Sequence, residues 1–197
     1  MSWAAIILTF ALVDNVILSR LLGVESASRA GGGLRAAAGV GTFMAVLMAG
    51  SAVCAWAVDS QVLVPLGFTL LRTPAFVFLV AGLAFMLRAI CGRFLPSILQ
   101  ATGVSIREIA VNTAALGLVL MSTRGEYTAL ESLVAALAAG AGYLLVTAMM
   151  MGIRERLEVE PVPRALKGFP LQLISAGLMA YAFMAFDRAF LSRVLGG

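Results

Sequence analysis

Leu12-Val13-Asp14-Asn15-Val16-Ile17-Leu18 sets a carboxylate and a carboxamide side by side in the middle of an apolar run. The run, residues 2–24, has the length of a membrane crossing, because about 20 mostly apolar residues cover the hydrocarbon core of a bilayer. A charge near the centre of such a helix costs roughly 2.5–3.5 kcal/mol on insertion scales, so Asp14 is expected to face a polar interior rather than lipid. No Lys or Arg precedes Arg20, and Asp14 breaks the run, so the segment reads as a retained helix and not as a cleaved signal peptide.

The same pattern continues outward. Further apolar runs cover residues 34–58, 69–90, 104–121, 129–153 and 169–191, separated by polar breaks, and suggest about six spanning segments. The break at 91–100 holds Gly92, Arg93 and Pro96, and the loop at 154–167 is the most charged, with Pro161 and Pro163. In all, the 197 residues are 61% hydrophobic and 12% charged, where a soluble domain carries about a quarter charged residues. Mean hydropathy is +1.02. Spanning segments must satisfy their backbone polar groups internally, and apolar runs of this length do so as helices. The fold class is therefore all-α integral membrane, a single membrane domain over residues 1–197.

Loop charges give an orientation. Arg29, Arg35, Arg88, Arg93, Arg107, Arg154, Arg156, Arg164 and Lys167 fall in or beside the odd-numbered loops, and only Arg72 and Arg124 in the even-numbered ones. Lys/Arg-rich loops stay cytoplasmic, which puts both termini on the periplasmic side of a bacterial inner membrane, with Arg188 and Arg193 running against the trend. The net charge of +4 is thus a matter of topology and does not suggest nucleic acid.

Six segments divide into two inverted triplets, about residues 1–97 and 98–197, since an odd number of crossings per half turns the second half over. The opening segment of the second half, helix 4, carries its own polar interruption, Ala110-Val111-Asn112-Thr113-Ala114-Ala115-Leu116-Gly117. Breaks at matching positions of two halves point to a shared site at mid-depth built from interrupted helices 1 and 4. Its candidate residues, as an ion path or midplane polar site, are Asp14, Asn15, Asn112 and Thr113. Asp14 reads either as a proton or cation relay or as a structural partner for a buried Arg or for freed backbone amides. Asn15 and Asn112 can bridge helices or satisfy unwound backbone, and Thr113 can return its hydroxyl to its own preceding turn. Glu25 by itself reads as a solvated loop charge. Gly41, Ala45 and Ala49, and Ala136 with Gly140, form small-residue ladders that permit close helix approach.

Stand-alone catalysis finds no support. Histidine is absent, which excludes imidazole-ligated haem or zinc, and the two cysteines, Cys54 and Cys91, are far apart in sequence and read as small buried apolar residues. The glycines Gly31-Gly32-Gly33 match neither a dinucleotide fingerprint nor a P-loop. No metal site is expected.

Several stretches together resemble the RnfA/NqrE family of membrane subunits. They are Leu12-Val13-Asp14-Asn15-Val16-Ile17-Leu18-Ser19-Arg20-Leu21-Leu22-Gly23, where the family has a Val-Asn-Asn start and a Leu-Gly end, and Cys54-Ala55-Trp56-Ala57-Val58-Asp59 followed by Pro65-Leu66 and Leu71-Arg72-Thr73. Val111-Asn112-Thr113-Ala114-Ala115-Leu116-Gly117 is a third. The strongest runs from Ile153-Arg154-Glu155-Arg156-Leu157 through Val162-Pro163 and Lys167-Gly168 to Ser175-Ala176-Gly177-Leu178-Met179-Ala180-Tyr181-Ala182-Phe183-Met184. The resemblance implies a six-helix inverted-repeat subunit with both termini outside, paired with a related subunit of opposite topology (RnfE/NqrD type). The pair belongs to an Rnf/Nqr-like translocase complex coupling electron transport to Na⁺ or H⁺ movement.

The resemblance also implies a cofactor that this sequence does not provide for. In the family a cysteine follows the first Leu-Gly-x and another follows the Asn of the second-half motif, and with two cysteines of the partner they hold a [2Fe-2S] cluster. Those positions read Glu25 and Thr113 here. Carboxylate and hydroxyl are poor replacements for thiolate at iron, so the cluster is expected to be absent. The leading expectation is a membrane subunit, non-catalytic alone, of an ion-translocating oxidoreductase. The alternative is a small inverted-repeat transporter or channel acting as a homodimer, motivated by Asp14 and the two lost cysteine positions; a paralogue retained for packing only is a third reading.

Overall fold

The computed structural model describes residues 3–24, 34–94 and 113–186, and every regular element among them is a helix. Helix α1 (Trp3–Leu8) loosens into a π-helical turn (Thr9–Val13) and stops. Helix α2 (Leu34–Val58) also ends in a π turn (Asp59–Leu63), and a single 3₁₀ turn (Thr69–Leu71) leads into α3 (Arg72–Phe94). Helix α4 is described over Thr113–Arg124, α5 (Ala129–Val159) is the longest of the described helices, and α6 (Phe169–Phe183) ends in a 3₁₀ turn (Met184–Phe186).

Among the described residues, four helices are long and apolar enough to cross a membrane: Ala37–Leu63, Thr69–Phe94, Ala129–Val159 and Phe169–Phe186. The protein is therefore an all-α membrane protein, as its apolar runs predict. The expected break in the fourth segment, at Asn112-Thr113, falls at the edge of the described residues, with Asn112 outside them.

Helix α5 is the centre of the bundle. Its apolar window is 56% buried, against 17% for α3 and for α6, so α3 and α6 are peripheral. It packs mainly on α2, and also touches α1 and α4. The small-residue ladders do what their spacing suggests. A Cβ on Gly41 would stand 2.9 Å from the Cα of Leu144, and one on Gly140 would stand 2.7 Å from the Cα of Ala45. The crossing of α2 and α5 thus depends on missing side chains, since in lipid close backbone approach and dispersion replace the hydrophobic drive of water.

Local chemistry sets the ends. Thr128 and Glu131 form a capping box at the start of α5: the Glu131 amide donates to Thr128 Oγ1 (3.3 Å) and the Thr128 amide to Glu131 Oε2 (2.9 Å). Buried hydroxyls of Ser122 and Ser132, 2.7 Å apart, tie α4 to α5. The turn between α2 and α3 is clasped by a two-pronged ion pair, with Arg72 Nε 2.6 Å and Nη2 2.9 Å from the Asp59 carboxylate oxygens. Helix α5 runs on to Val159, past the apolar limit at Ile153, and Arg154 and Glu158 pair one turn apart (3.2 Å) on its exposed end.

Candidate functional site

The first segment breaks where the polar pair Asp14-Asn15 stands. The Asp14 amide donates to the Thr9 carbonyl (2.7 Å), and the backbone of Asp14 leaves the helical region at φ −96° and ψ 42°. A break in a span orphans carbonyls on one side and amides on the other, and each unsatisfied group in hydrocarbon costs several kcal/mol.

Asn15 serves both sides of the break. Its Nδ2 donates to the Ala11 carbonyl (3.0 Å), while its Oδ1 accepts the amides of Ile17 (3.0 Å) and Leu18 (3.4 Å). Its own carbonyl accepts the Ser19 amide (2.9 Å) and hydroxyl (2.6 Å). A carboxamide can do this because it donates and accepts at once. The side chain is 1% exposed, so these bonds are shielded from competing water. Gly142 of α5 makes the space: a Cβ there would lie 2.6 Å from the Ala11 oxygen and 2.7 Å from Asn15 Nδ2.

Beyond Asn15 the chain runs through turns to Gly23. Leu21 (φ +54°) and Gly23 (φ +76°) adopt left-handed backbone, which a leucine reaches only at a cost of roughly 1–2 kcal/mol. Gly23 is then gripped from two directions. Its amide donates to Thr113 Oγ1 at the start of α4 (3.1 Å), and its carbonyl accepts the hydroxyl of Tyr143 from mid-α5 (3.2 Å). Leu22 presses against Gly117 of α4, where a Cβ would clash with it.

The expected site residues therefore fall as follows. Asn15 is buried, Asp14 beside it is half-buried, and Thr113 is exposed except at the hydroxyl it shares with Gly23. Thr113 meets the first segment at Gly23, at the far end of the unwound stretch from Asp14. Its hydroxyl thus accepts a bond across 90 residues of sequence. Asn112 and Glu25 lie outside the described residues. Two residues escaped the sequence reading, Tyr143 and Gly142. The available signal was a phenol in the middle of an otherwise smooth apolar helix, preceded by a glycine.

The donors do not fit an iron–sulfur cluster. Thr113 offers a hydroxyl that accepts the Gly23 amide where a cluster takes thiolate, and no group of three or more His, Cys, Asp or Glu able to hold a metal occurs among the described residues. Cys54 and Cys91 are free and half-buried, so more open than the buried positions expected of them. Cys54 lies nine residues before the end of the α2 turn at Leu63, and Cys91 lies 19 residues beyond Arg72, a mismatch of about ten residues or roughly 15 Å of helix rise. They sit at different depths of one hairpin.

Long apolar helices around a first segment broken and re-tied by its own asparagine define a polytopic all-α membrane protein with an interrupted span. Residues 3–189 match the family described as Rnf-Nqr subunit, membrane protein, and the chain belongs to that family. It is 36% identical over 182 residues to the A-type subunit of the Na(+)-translocating ferredoxin:NAD(+) oxidoreductase complex of Acetobacterium woodii, covering 92% of this chain and 95% of that one. It is 34% identical to the A-type subunit of the ion-translocating oxidoreductase complex of Syntrophotalea carbinolica, over 92% of this chain and 94% of that one. The protein of the same description from Yersinia enterocolitica is 34% identical, over 89% and 91%.

Proposed function

We propose that this chain is the A-type membrane subunit of an ion-translocating electron-transport complex, coupling electron transfer to Na⁺ or H⁺ movement without an iron–sulfur cluster of its own. The observation that carries the reading is the likeness, over 92% of the chain, to the A-type subunit of a Na(+)-translocating oxidoreductase. The broken first segment supports an ion-handling role. Unwound backbone inside a membrane is tolerated where it is buried in protein or lines a polar cavity, and its oxygens can replace an ion's hydration shell. In this reading Asp14 and Asn15, with Thr113 and Asn112 from the opposite half, form a polar site near mid-depth, and Asp14 carries the charge that meets the ion.

The rest of the proposal concerns arrangement. The chain comprises two inverted triplets, about residues 1–97 and 98–197, a division supported by the polar interruptions Asp14-Asn15 and Asn112-Thr113 in the opening segment of each half. Both termini face the periplasm of the bacterial inner membrane. The partner is a related subunit of opposite topology, and the electron carriers belong to that and other subunits.

The test is purification of the tagged chain from its native membrane. Flavin-bearing and ferredoxin- or quinone-linked subunits should come with it, and iron analysis with electron paramagnetic resonance should assign no [2Fe-2S] centre to this chain. A stable assembly that lacks every redox subunit would sink the proposal. Asp14→Asn in the intact complex should lower ion movement per electron transferred; unchanged coupling removes Asp14 from the path.

A second reading, a homodimeric transporter or channel, is favoured by the engagement of Thr113 with backbone where the family places a ligand. Ion flux through vesicles holding the purified chain alone decides for it.

A further inference from the structure

We infer that the cavity between the end of α5 and the start of α6 is a binding site for the phosphate headgroup of an anionic phospholipid. The cavity, about 240 Å³, opens at the ends of two membrane-crossing helices, the level at which headgroups lie. Its walls are of two kinds. Met150, Ile153 and Leu171 are apolar, and Arg154, Lys167 and Gln172 are cationic or polar. An amphiphile with a charged head and an alkyl stem matches that division, and a free hydrophilic ligand matches only half of it.

Charge selects the head. Arg154 and Lys167 face the cavity against one carboxylate, Glu158, which leaves an excess of positive charge. Glu158 pairs with Arg154 at 3.2 Å on an exposed surface, a contact worth little in water and easily shared with an incoming phosphate. Lys167 is exposed and precedes Gly168, whose φ of +88° turns the chain into α6 with no side chain capping the helix. Basic pockets between transmembrane helices on the cytoplasmic side take anionic lipid headgroups, and this is the side on which the loop-charge pattern puts residues 154–167. Arg154, Lys167 and Ser175, which line the cavity, also belong to the stretch that most resembles the family, and the proposed redox role makes no use of them. The inference needs a membrane-spanning chain but not the coupling of ions to electrons, so the two stand or fall separately.

Native mass spectrometry of the full purified chain in neutral detergent tests it, with phosphatidylglycerol and phosphatidylcholine as probes. Phosphatidylglycerol should bind several-fold more tightly. Lys167→Gln should reduce that preference roughly three- to tenfold, about the weight of one basic residue at an anionic surface. Lys167→Arg should preserve it, and Glu158→Gln, which removes the opposing carboxylate, should increase it. Equal binding of the two lipids, or a preference indifferent to all three variants, overturns the inference. Displacement of phosphatidylglycerol by millimolar inorganic phosphate also overturns it and assigns the site to free phosphate. Protection of Lys167 from amine-modifying reagents by a co-purified protein, once lipid has been stripped, overturns it in favour of a protein contact.

Discussion

At the scale of the residue, Asn15 closes three hydrogen bonds across a gap that neither half of the first segment can close alone. Buried bonds of this kind contribute about 1 kcal/mol each, and a buried group left unpaired loses more. Asn15→Leu should therefore destabilise the protein by roughly 2–4 kcal/mol, read as a lower melting temperature in detergent. Asn15→Asp keeps the acceptor for Ile17 and Leu18 but sets a carboxylate against the Ala11 carbonyl in a buried position, and should destabilise at least as much as Asn15→Leu. Thr113→Val removes the acceptor from the Gly23 amide at a cost of about 1–2 kcal/mol, which Thr113→Ser should restore. The polar break was legible in sequence because a carboxylate and a carboxamide inside an apolar run have few permitted surroundings. What Asn15 does there, and the grip of Thr113 and Tyr143 on Gly23, was not legible. These bonds join residues 90 and 120 positions apart, and local patterning carries no information at that distance.

At the scale of the element, hydropathy located the helices but not their ends. It reports where a chain leaves lipid, and a helix can continue beyond that point when its side chains pair in water. Helix α5 does so with Arg154 and Glu158 paired on its exposed end, and α2 continues into a π turn that opens at Asp59, itself ion-paired with Arg72. The small-residue ladders were readable because close helix contact has a compositional signature, but only the fold distinguishes a glycine at a crossing from one facing open space. Gly142 and Gly177 make that contrast testable. Gly142→Ala forces a methyl group onto the Ala11 carbonyl and the Asn15 amide, and should cost about 1–3 kcal/mol. Gly177→Ala meets nothing within 4 Å and should be neutral or stabilising by roughly 0.5–1 kcal/mol through helix propensity. Equal melting temperatures for the two variants would mean that α1 does not rest on α5 as described.

At the scale of the whole molecule, the decisive quantity is which way the bundle faces, since the proposed ion path, the proposed partner of opposite topology and the proposed lipid site all inherit it. Two connections lie at opposite ends of the long helices: the turn around Leu66, between α2 and α3, and the stretch around Glu160, after α5. In the proposed orientation, which rests on the excess of Lys and Arg in the odd-numbered loops, the first is outside and the second in the cytoplasm. Both residues are exposed, so each can take a thiol without disturbing the core. With Cys54 and Cys91 replaced by alanine, Leu66→Cys should react with a membrane-impermeant maleimide on intact spheroplasts, and Glu160→Cys only after permeabilisation. The reverse pattern would turn the molecule over and carry the basic cavity to the periplasmic face. Labelling of both from the same side would be graver, because with α3 and α5 across the membrane three crossings separate the two positions if the fourth segment spans and two if it does not, so the result would remove the fourth crossing. Since α3 and α5 are the spans on which the six-segment reading and its two triplets are counted, this single experiment examines orientation and topology together.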